Sequence, residues 1–120
     1  MPKRETVEAF VAQVEKGDFV GAIERWYAPG ASMRENGGEP RVGIPALVAN
    51  EERVMAAFPT IRASLLGPVV VDGDSVAIPW RFEFARDGSV RTLEEVALQT
   101  WRGDRIAEER FFYDPKQLTG

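Results

Sequence analysis

The sequence contains neither cysteine nor histidine. The lack of cysteine excludes disulfide bonds and thiolate metal sites, and it is consistent with a reducing cytoplasm. The lack of histidine removes the usual catalytic base near neutral pH, the nucleophilic triads that depend on it, and most transition-metal sites. We therefore expect no metal and no cofactor, and any catalysis must use other side chains.

Clustered positive charge and long apolar runs are also missing. The formal net charge of −4 argues against a nucleic-acid partner, because phosphates are bound by clustered Lys and Arg. No stretch approaches the roughly 20 apolar residues of a membrane span, and the N-terminus lacks an apolar signal core. We expect a cytoplasmic protein with no membrane segment. The length of 120 residues predicts a single domain over residues 1 to 120.

The first half of the chain has the apolar spacing of helices. That spacing predicts three of them: residues 5 to 16 with Thr6 as cap, a segment from the capping Asp18 to Pro29, and one from Gly43 to Pro59. A short strand is predicted at residues 31 to 36, before a glycine-rich turn.

The second half is rich in β-branched and aromatic residues. It predicts four strands separated by hairpin turns: residues 61 to 71, 75 to 86, 90 to 102 and 105 to 113. Helices followed by a run of hairpins indicate an α+β domain, with the helices on one face of an antiparallel sheet.

Several segments resemble one known superfamily when their order and spacing are taken together. They are Gly17-Asp18-Phe19, Trp26-Tyr27-Ala28-Pro29-Gly30-Ala31-Ser32, Glu39-Pro40-Arg41-Val42-Gly43, and a closing hairpin from Trp101 to Pro115. The chain is similar over nearly its whole length to the superfamily of nuclear transport factor 2, ketosteroid isomerase and the SnoaL-like polyketide cyclases.

The resemblance implies a cone-shaped fold, in which a strongly bent antiparallel sheet wraps around three N-terminal helices. Its open end is a mostly apolar pocket, and the implied ligand is a small hydrophobic molecule. Members often dimerise through the outer face of the sheet. Val96 and Leu98 lie on the strand face opposite the pocket, so we expect a homodimer.

The resemblance also implies a position for a catalytic carboxylate. In ketosteroid isomerases a carboxylate at the end of the first strand shuttles the proton, and the matching position is Glu35. A carboxylate partly buried in an apolar cone has a raised pKa and suits a general base. The alternative is a solvated strand end beside Arg34.

Two other positions of that family are occupied by residues without a donor. The isomerase oxyanion hole needs a tyrosine, which aligns with Phe10, and a protonated aspartate, which aligns with Ala97; the neutral acid of this enzyme is a standard example of a shifted pKa. The acid of SnoaL cyclases aligns with Ala97 as well. Without histidine, the resemblance to the histidine-aspartate dehydratases of the superfamily fails too.

Strand alternation offers substitutes for these donors. Glu95, Ala97, Gln99 and Trp101 share one face of their strand, so Glu95 and Gln99 line the pocket if Ala97 does. Alternatively, Glu95 faces water at the rim and Gln99 only bridges strands.

Alternation also groups aromatic residues on the neighbouring strands. The first group is Trp80 and Phe82 together with Ile78. The second group is Phe111 and Tyr113 together with Glu109. The hydroxyls of Tyr27 and Tyr113 are candidates to orient a substrate oxygen. An inward Glu109 is costly unless an arginine or a ligand pairs with it.

Three functions remain open from the sequence. The first is an isomerase or cyclase that needs no cofactor and uses Glu35 as general base, with Tyr27, Tyr113 or Gln99 as polar partners. The second is a noncatalytic pocket that binds an apolar metabolite or merely dimerises, which Phe10 and Ala97 favour. The third is a protein-interaction module that uses the outer face of the sheet.

Overall fold

The computed structural model describes residues 1 to 119 and places three helices in the first half of the chain. They are α1 (Arg4–Glu15), α2 (Phe19–Trp26) and α3 (Ile44–Ala57). The predicted cap of α2 is confirmed, since the Asp18 carboxylate accepts a hydrogen bond from the Gly21 backbone N–H at 3.1 Å. The predicted Thr6 cap is wrong, because α1 begins after Lys3, which makes no side-chain capping bond.

None of the helices in the described residues is long and apolar enough to span a membrane. Seven strands in the described part of the chain form one sheet. The strands are β1 (Tyr27–Glu35), β2 (Arg41–Val42), β3 (Thr60–Leu65), β4 (Val70–Asp72), β5 (Ser75–Arg86), β6 (Ser89–Arg102) and β7 (Arg105–Phe112). Their order is β2-β1-β7-β6-β5-β3, and β4 pairs with one end of β5. A short 3-10 helix, Pro115–Leu118, follows the last strand.

The predicted hairpins are present, and the sheet is mixed because one of its pairs is parallel. Strands β5 and β6 pair without interruption from Ser75 opposite Thr100 to Arg86 opposite Ser89. Strand β1 runs parallel to β7. A parallel pair needs a long connection, which α3 and the intervening strands provide.

The segment predicted as one strand at residues 61 to 71 is divided. Strand β3 ends at Leu65 and β4 begins at Val70, with Gly67-Pro68 between them. Proline has no backbone N–H to donate to a strand ladder, and glycine weakens a strand, so pairing stops at this dipeptide.

The sheet is strongly curved and does not close, because β2 and β3 are its two free ends. The three helices pack on its concave side, and the α+β cone predicted from the sequence is confirmed. The core lies between the two layers. Strand β6 alternates strictly there, with five inward residues buried: Leu93, Glu95, Ala97, Gln99 and Trp101. This alternation brings polar side chains into the core.

Candidate functional site

The helices and the concave face of the sheet enclose a cavity with two adjoining compartments. The inner compartment has a volume of about 80 Å³, and the outer one about 150 Å³. Five residues line both compartments and so lie between them: Phe19, Met33, Glu51, Phe82 and Phe111. Mostly apolar walls with a few convergent polar groups are typical of small-molecule sites.

Most of the residues predicted from the sequence reach this cavity. The inner compartment is lined by Phe10, Tyr27, Trp80, Phe82 and Glu109. The outer compartment is lined by Glu35, Phe82 and Glu95. Three predicted residues line neither compartment: Ala97, Gln99 and Tyr113. Gln99 and Tyr113 instead donate hydrogen bonds to carboxyls that do.

A buried chain of hydrogen bonds ends at the Glu109 carboxyl. The Tyr27 hydroxyl donates to one carboxyl oxygen of Glu109. The Gln99 amide donates to the other oxygen at 2.6 Å. The Trp101 indole N–H in turn donates to the Gln99 amide oxygen at 2.9 Å, which fixes the orientation of that amide. Glu109 is therefore held by neutral donors and has no arginine among its hydrogen-bond partners in the described residues.

The protonation of Glu109 is set by opposing effects. Burial raises its pKa to about 7, while the hydrogen bonds from Tyr27 and Gln99 hold the value down because they favour the carboxylate. The neighbouring carboxyl of Glu51 pushes the pKa upward. The pKa of Tyr27 is raised well above its ordinary value by burial and by the charge of Glu109. Tyr27 is therefore a neutral donor at all ordinary pH values.

Glu95 is the most strongly shifted carboxyl of the outer compartment. Glu95 is only 9% exposed, and its carboxyl makes no hydrogen bond with any residue in the described part of the chain. Burial raises its pKa to about 8, with further contributions from the charges of Glu109, Glu35 and Glu51. At neutral pH, Glu95 is accordingly a carboxylic acid that can donate a hydrogen bond.

Glu35 lies at the mouth of the outer compartment. Its side chain is 43% exposed and forms an ion pair with Arg41 at 3.0 Å. The Tyr113 hydroxyl donates to the other carboxylate oxygen at 2.7 Å. The side chain is a partly solvated strand end that also lines the outer compartment, and its role as a general base stays a prediction. Its cation partner is Arg41, whereas Arg34 bonds the Gly38 carbonyl.

The aligned donor positions of ketosteroid isomerases are packed into the core. Phe10 lies edge-on to Tyr27 and Trp101, with ring centroids 6.0 and 6.3 Å apart. Ala97 is fully buried and pairs with Ile78 on β5. Neither can donate to an oxyanion, and the hydroxyl of Tyr27, whose ring packs against Phe10, is bonded to Glu109.

Sequence reasoning missed Glu51, which lines both compartments from α3. Burial raises its pKa, and the nearby Arg41 counteracts this rise. The signal was available in the helical period, because Glu51 is four residues after Leu47 and three before Val54 on the same apolar stripe. Arg41 was missed as a site residue too; its Nε atom is buried without a hydrogen-bond partner among the described residues.

The chemistry of this site rests on carboxyls. The described residues contain no group of three or more His, Cys, Asp or Glu side chains placed to hold a metal ion. Four glutamates line an apolar cavity in different environments: Glu35, Glu51, Glu95 and Glu109. Carboxyls whose pKa values are pushed apart can divide the roles of proton donor and acceptor.

The SnoaL-like domain model matches residues 7 to 109 of this sequence. The chain belongs to the SnoaL-like domain family. None of the curated proteins matches it. A structure from Jannaschia sp. CCS1, described as a SnoaL-like polyketide cyclase, is 20% identical with a TM-score of 0.82, covering 97% of this chain and 90% of that one.

Two further structures of the same fold are similar. One from Mesorhizobium loti, also described as a SnoaL-like polyketide cyclase, is 27% identical with a TM-score of 0.75, covering 92% of this chain and 97% of that chain. A protein with a ketosteroid isomerase-like fold from Catenulispora acidiphila, in complex with trimethylamine, is 18% identical with a TM-score of 0.79. The match covers 94% of this chain and 88% of that chain.

Proposed function

We propose that this SnoaL-like domain transfers a proton next to the carbonyl group of a small hydrophobic substrate without a cofactor. The observation that carries the proposal is that Glu35 and Glu95 line the same outer compartment, where Glu35 pairs with Arg41 and Glu95 has no partner among the described residues. Glu35 is ion-paired with Arg41 and serves as the base. Glu95 is a buried neutral acid and serves as the hydrogen-bond donor.

The proposed reaction needs only these two groups. The Glu35 carboxylate removes a proton from the carbon next to the carbonyl, and the electrons of the C–H bond move onto the carbonyl oxygen as an enolate. Glu95 donates a hydrogen bond to that oxygen, which stabilises the developing charge in a site of low dielectric. The proton on Glu35 then returns to a carbon of the conjugated system, so the substrate is isomerised and both carboxyls recover their initial states.

Tyr113 and the position of Glu95 support this assignment. The Tyr113 hydroxyl donates a hydrogen bond to one oxygen of Glu35, which restricts the orientation of the carboxylate. Glu95 is two residues before Ala97 on the same buried face of β6. It therefore supplies an acid from the strand that carries the missing acid of the family.

The test uses cyclohex-3-enone, whose conversion to the conjugated enone is followed by ultraviolet absorbance. We expect Glu35→Gln to lower kcat/KM by about 100-fold or more, because general-base catalysis contributes about that much. Glu95→Leu removes the donor and should cost about 100-fold or more. Glu108→Gln and Glu94→Leu are matched controls on exposed neighbours, and both should leave the rate unchanged.

The rate should also depend on pH in a definite direction. Glu95 loses its proton above its pKa of about 8, so kcat/KM should fall as the pH rises through that value. If wild type gives no enone above the buffer rate, or if Glu35→Gln is as fast as wild type, this proposal is wrong.

A noncatalytic ligand-binding pocket is the second candidate. Phe10 and Ala97 favour it, because both are packed into the core without a donor for an oxyanion. The relative in complex with trimethylamine supports occupancy of this type of fold by a small organic molecule. Under this alternative, cyclohexanone perturbs the NMR signals of the cavity residues, whereas solvent deuterium does not enter its α-positions any faster than in buffer.

We infer that the outer face of the sheet forms a homodimer. Val96 and Leu98 on β6 and Phe112 on β7 are exposed there, and Val96 pairs directly with Phe112. Exposed apolar patches of this kind mark interaction sites. A second copy of the chain is the proposed occupant, and a different protein partner would leave the isolated chain monomeric. The cytoplasmic location stays a prediction from the sequence.

A further inference from the structure

The inner compartment combines aromatic walls with negative charge. Six of its lining residues are aromatic: Phe10, Phe19, Tyr27, Trp80, Phe82 and Phe111. Its two ionisable carboxyls are those of Glu51 and Glu109, and among residues 1 to 119 no lysine or arginine lines it. The carboxyls favour a ligand cation, and the aromatic rings offer apolar contact to its alkyl carbons.

The negative charge at Glu109 has no cationic counterpart in the compartment. Its two oxygens accept hydrogen bonds from the neutral Tyr27 hydroxyl and Gln99 amide. These donors orient the carboxylate and favour its charged form, but they leave its net charge uncompensated. Arg41 is in the outer compartment, where it pairs with Glu35. A buried anion without a paired cation is costly, so a ligand cation would be stabilised here.

Glu95 offers a second polar group to a ligand in this cavity. The residue is 9% exposed, lines the adjoining outer compartment, and has no hydrogen-bond partner among the described residues. Its carboxyl oxygens are not among the fully buried atoms without a partner, so they are accessible from the cavity. A protonated carboxyl in this position can donate a hydrogen bond to an acceptor on a ligand.

We propose that the inner compartment binds a small alkylammonium group, with the Glu109 and Glu51 carboxylates around its charge and the aromatic rings around its alkyl carbons. The inference rests on the proposed function, because it makes the substrate class a hydrophobic amino ketone. The ammonium end of this substrate enters the inner compartment and its carbonyl accepts the hydrogen bond of Glu95 in the outer one. A cavity of about 80 Å³ suits a group of few carbons.

The proposal predicts how binding depends on pH. The groups that face Glu109 are Tyr27 from β1, Glu51 from α3 and Glu95 from β6, with Glu35 and Arg41 further out at the mouth. Tyr27 is a neutral donor, and the carboxyls repel one another when charged. Glu109 becomes a carboxylate above about pH 7. The affinity for a cation should therefore rise with pH through that region, and proton release should accompany binding below it.

The experiment compares tert-butylammonium with tert-butanol, which has nearly the same shape and no charge. Binding to the full chain is measured by NMR titration near pH 8 and pH 5.5. We expect the cation to bind at least tenfold more tightly than the alcohol near pH 8. At pH 5.5 this preference should shrink to less than threefold, because Glu109 is then protonated.

Variants test whether the preference for tert-butylammonium over tert-butanol depends on the carboxyls of the inner compartment. Glu109→Gln should abolish the preference at pH 8 while tert-butanol binding persists. If that variant fails to fold, Glu51→Gln provides the same test on a half-buried group outside the hydrogen-bond chain, with at least a threefold loss of preference. Glu108→Gln, an exposed neighbour on β7, is the control and should behave as wild type.

The outcomes separate this inference from the proposed function. Equal binding of cation and alcohol at pH 8, no binding of either, or an unchanged preference in both Glu109→Gln and Glu51→Gln overturns the alkylammonium site. Isomerisation of the uncharged cyclohex-3-enone is independent of that result, because Glu35 and Glu95 act in the outer compartment. A failure of enone formation with intact cation preference would instead leave a binding site without the proposed chemistry.

Discussion

Individual carboxyl side chains give this domain its polar character. Glu95 and Glu109 are both buried and both have raised pKa values, yet their surroundings differ. Glu109 has donors on both oxygens, whereas Glu95 has none among the described residues. The same residue type therefore lies in two different hydrogen-bonding environments in one cavity.

These shifts predict how stability changes with pH. The folded pKa of Glu95 is about 8, against an ordinary value of 4.5, so the folded state binds its proton more tightly than the unfolded state. The stabilisation is complete below about pH 4.5 and is lost as the pH rises toward 8. We expect the free energy of unfolding to fall by on the order of a few kcal/mol over that range.

The Glu95→Gln variant measures the contribution of this one group. Because glutamine does not titrate, the variant should lose less stability than wild type between pH 5 and pH 8. Urea unfolding at several pH values checks this, with Glu94→Gln as the exposed control. Parallel curves for Glu95→Gln and wild type would contradict the assigned shift.

Among the secondary-structure elements, α3 depends on a single glycine for its direction. Gly43 precedes the helix with φ of +92°, a conformation that side chains with a Cβ rarely adopt. Its N–H donates to the Ala31 carbonyl at 2.8 Å, and its carbonyl accepts from the Leu47 N–H at 3.1 Å. This turn ties α3 to β1 and so places Glu51 in the cavity.

We expect Gly43→Ala to destabilise the protein by about 1 to 3 kcal/mol, because it forces a residue with a Cβ into a sparsely populated backbone region. A steric clash is not the cause, since the nearest atoms to an added Cβ at position 43 lie 4.0 Å away. Thermal unfolding measures the effect. Gly30→Ala is the control, as its φ is not positive and nothing lies within 4 Å; an equal loss in both would refute backbone strain at Gly43.

At the scale of the whole molecule, the exposed apolar residues on the outer face of the sheet predict that the protein forms a dimer. The proposed homodimer buries Val96, Leu98 and Phe112, which are otherwise exposed. We expect wild type to sediment as a dimer at micromolar concentration and the double variant Val96→Glu, Leu98→Glu to sediment as a monomer, because like charges would meet across the two-fold axis.

The control for this experiment is Val70→Glu. Val70 is similarly exposed but lies on the short strand β4, away from the patch. This variant should remain dimeric. A monomeric wild type would argue against self-association and favour a different protein partner.

The resemblance of several segments to a known superfamily implied the cone, and the residue pattern alone was sufficient to predict the helices, the hairpins and the inward alternation of β6 from Glu95 to Trp101. These features depend on periods of 3.6 and 2 residues, on turn residues and on the order of segments, all of which are written locally in the chain. Glu51 was equally accessible in the period of α3, although it was overlooked.

Only the tertiary structure decided which groups meet. Tyr27 and Glu109 are 82 residues apart in the chain, and the parallel pairing of β1 with β7 places their strands side by side. Burial, hydrogen-bond donors and neighbouring charges set each pKa, and all three depend on contacts between distant segments. For this reason the sequence could mark Glu35, Glu95 and Glu109 as candidates, while their different hydrogen-bond partners and surroundings could be read only from the packed cavity.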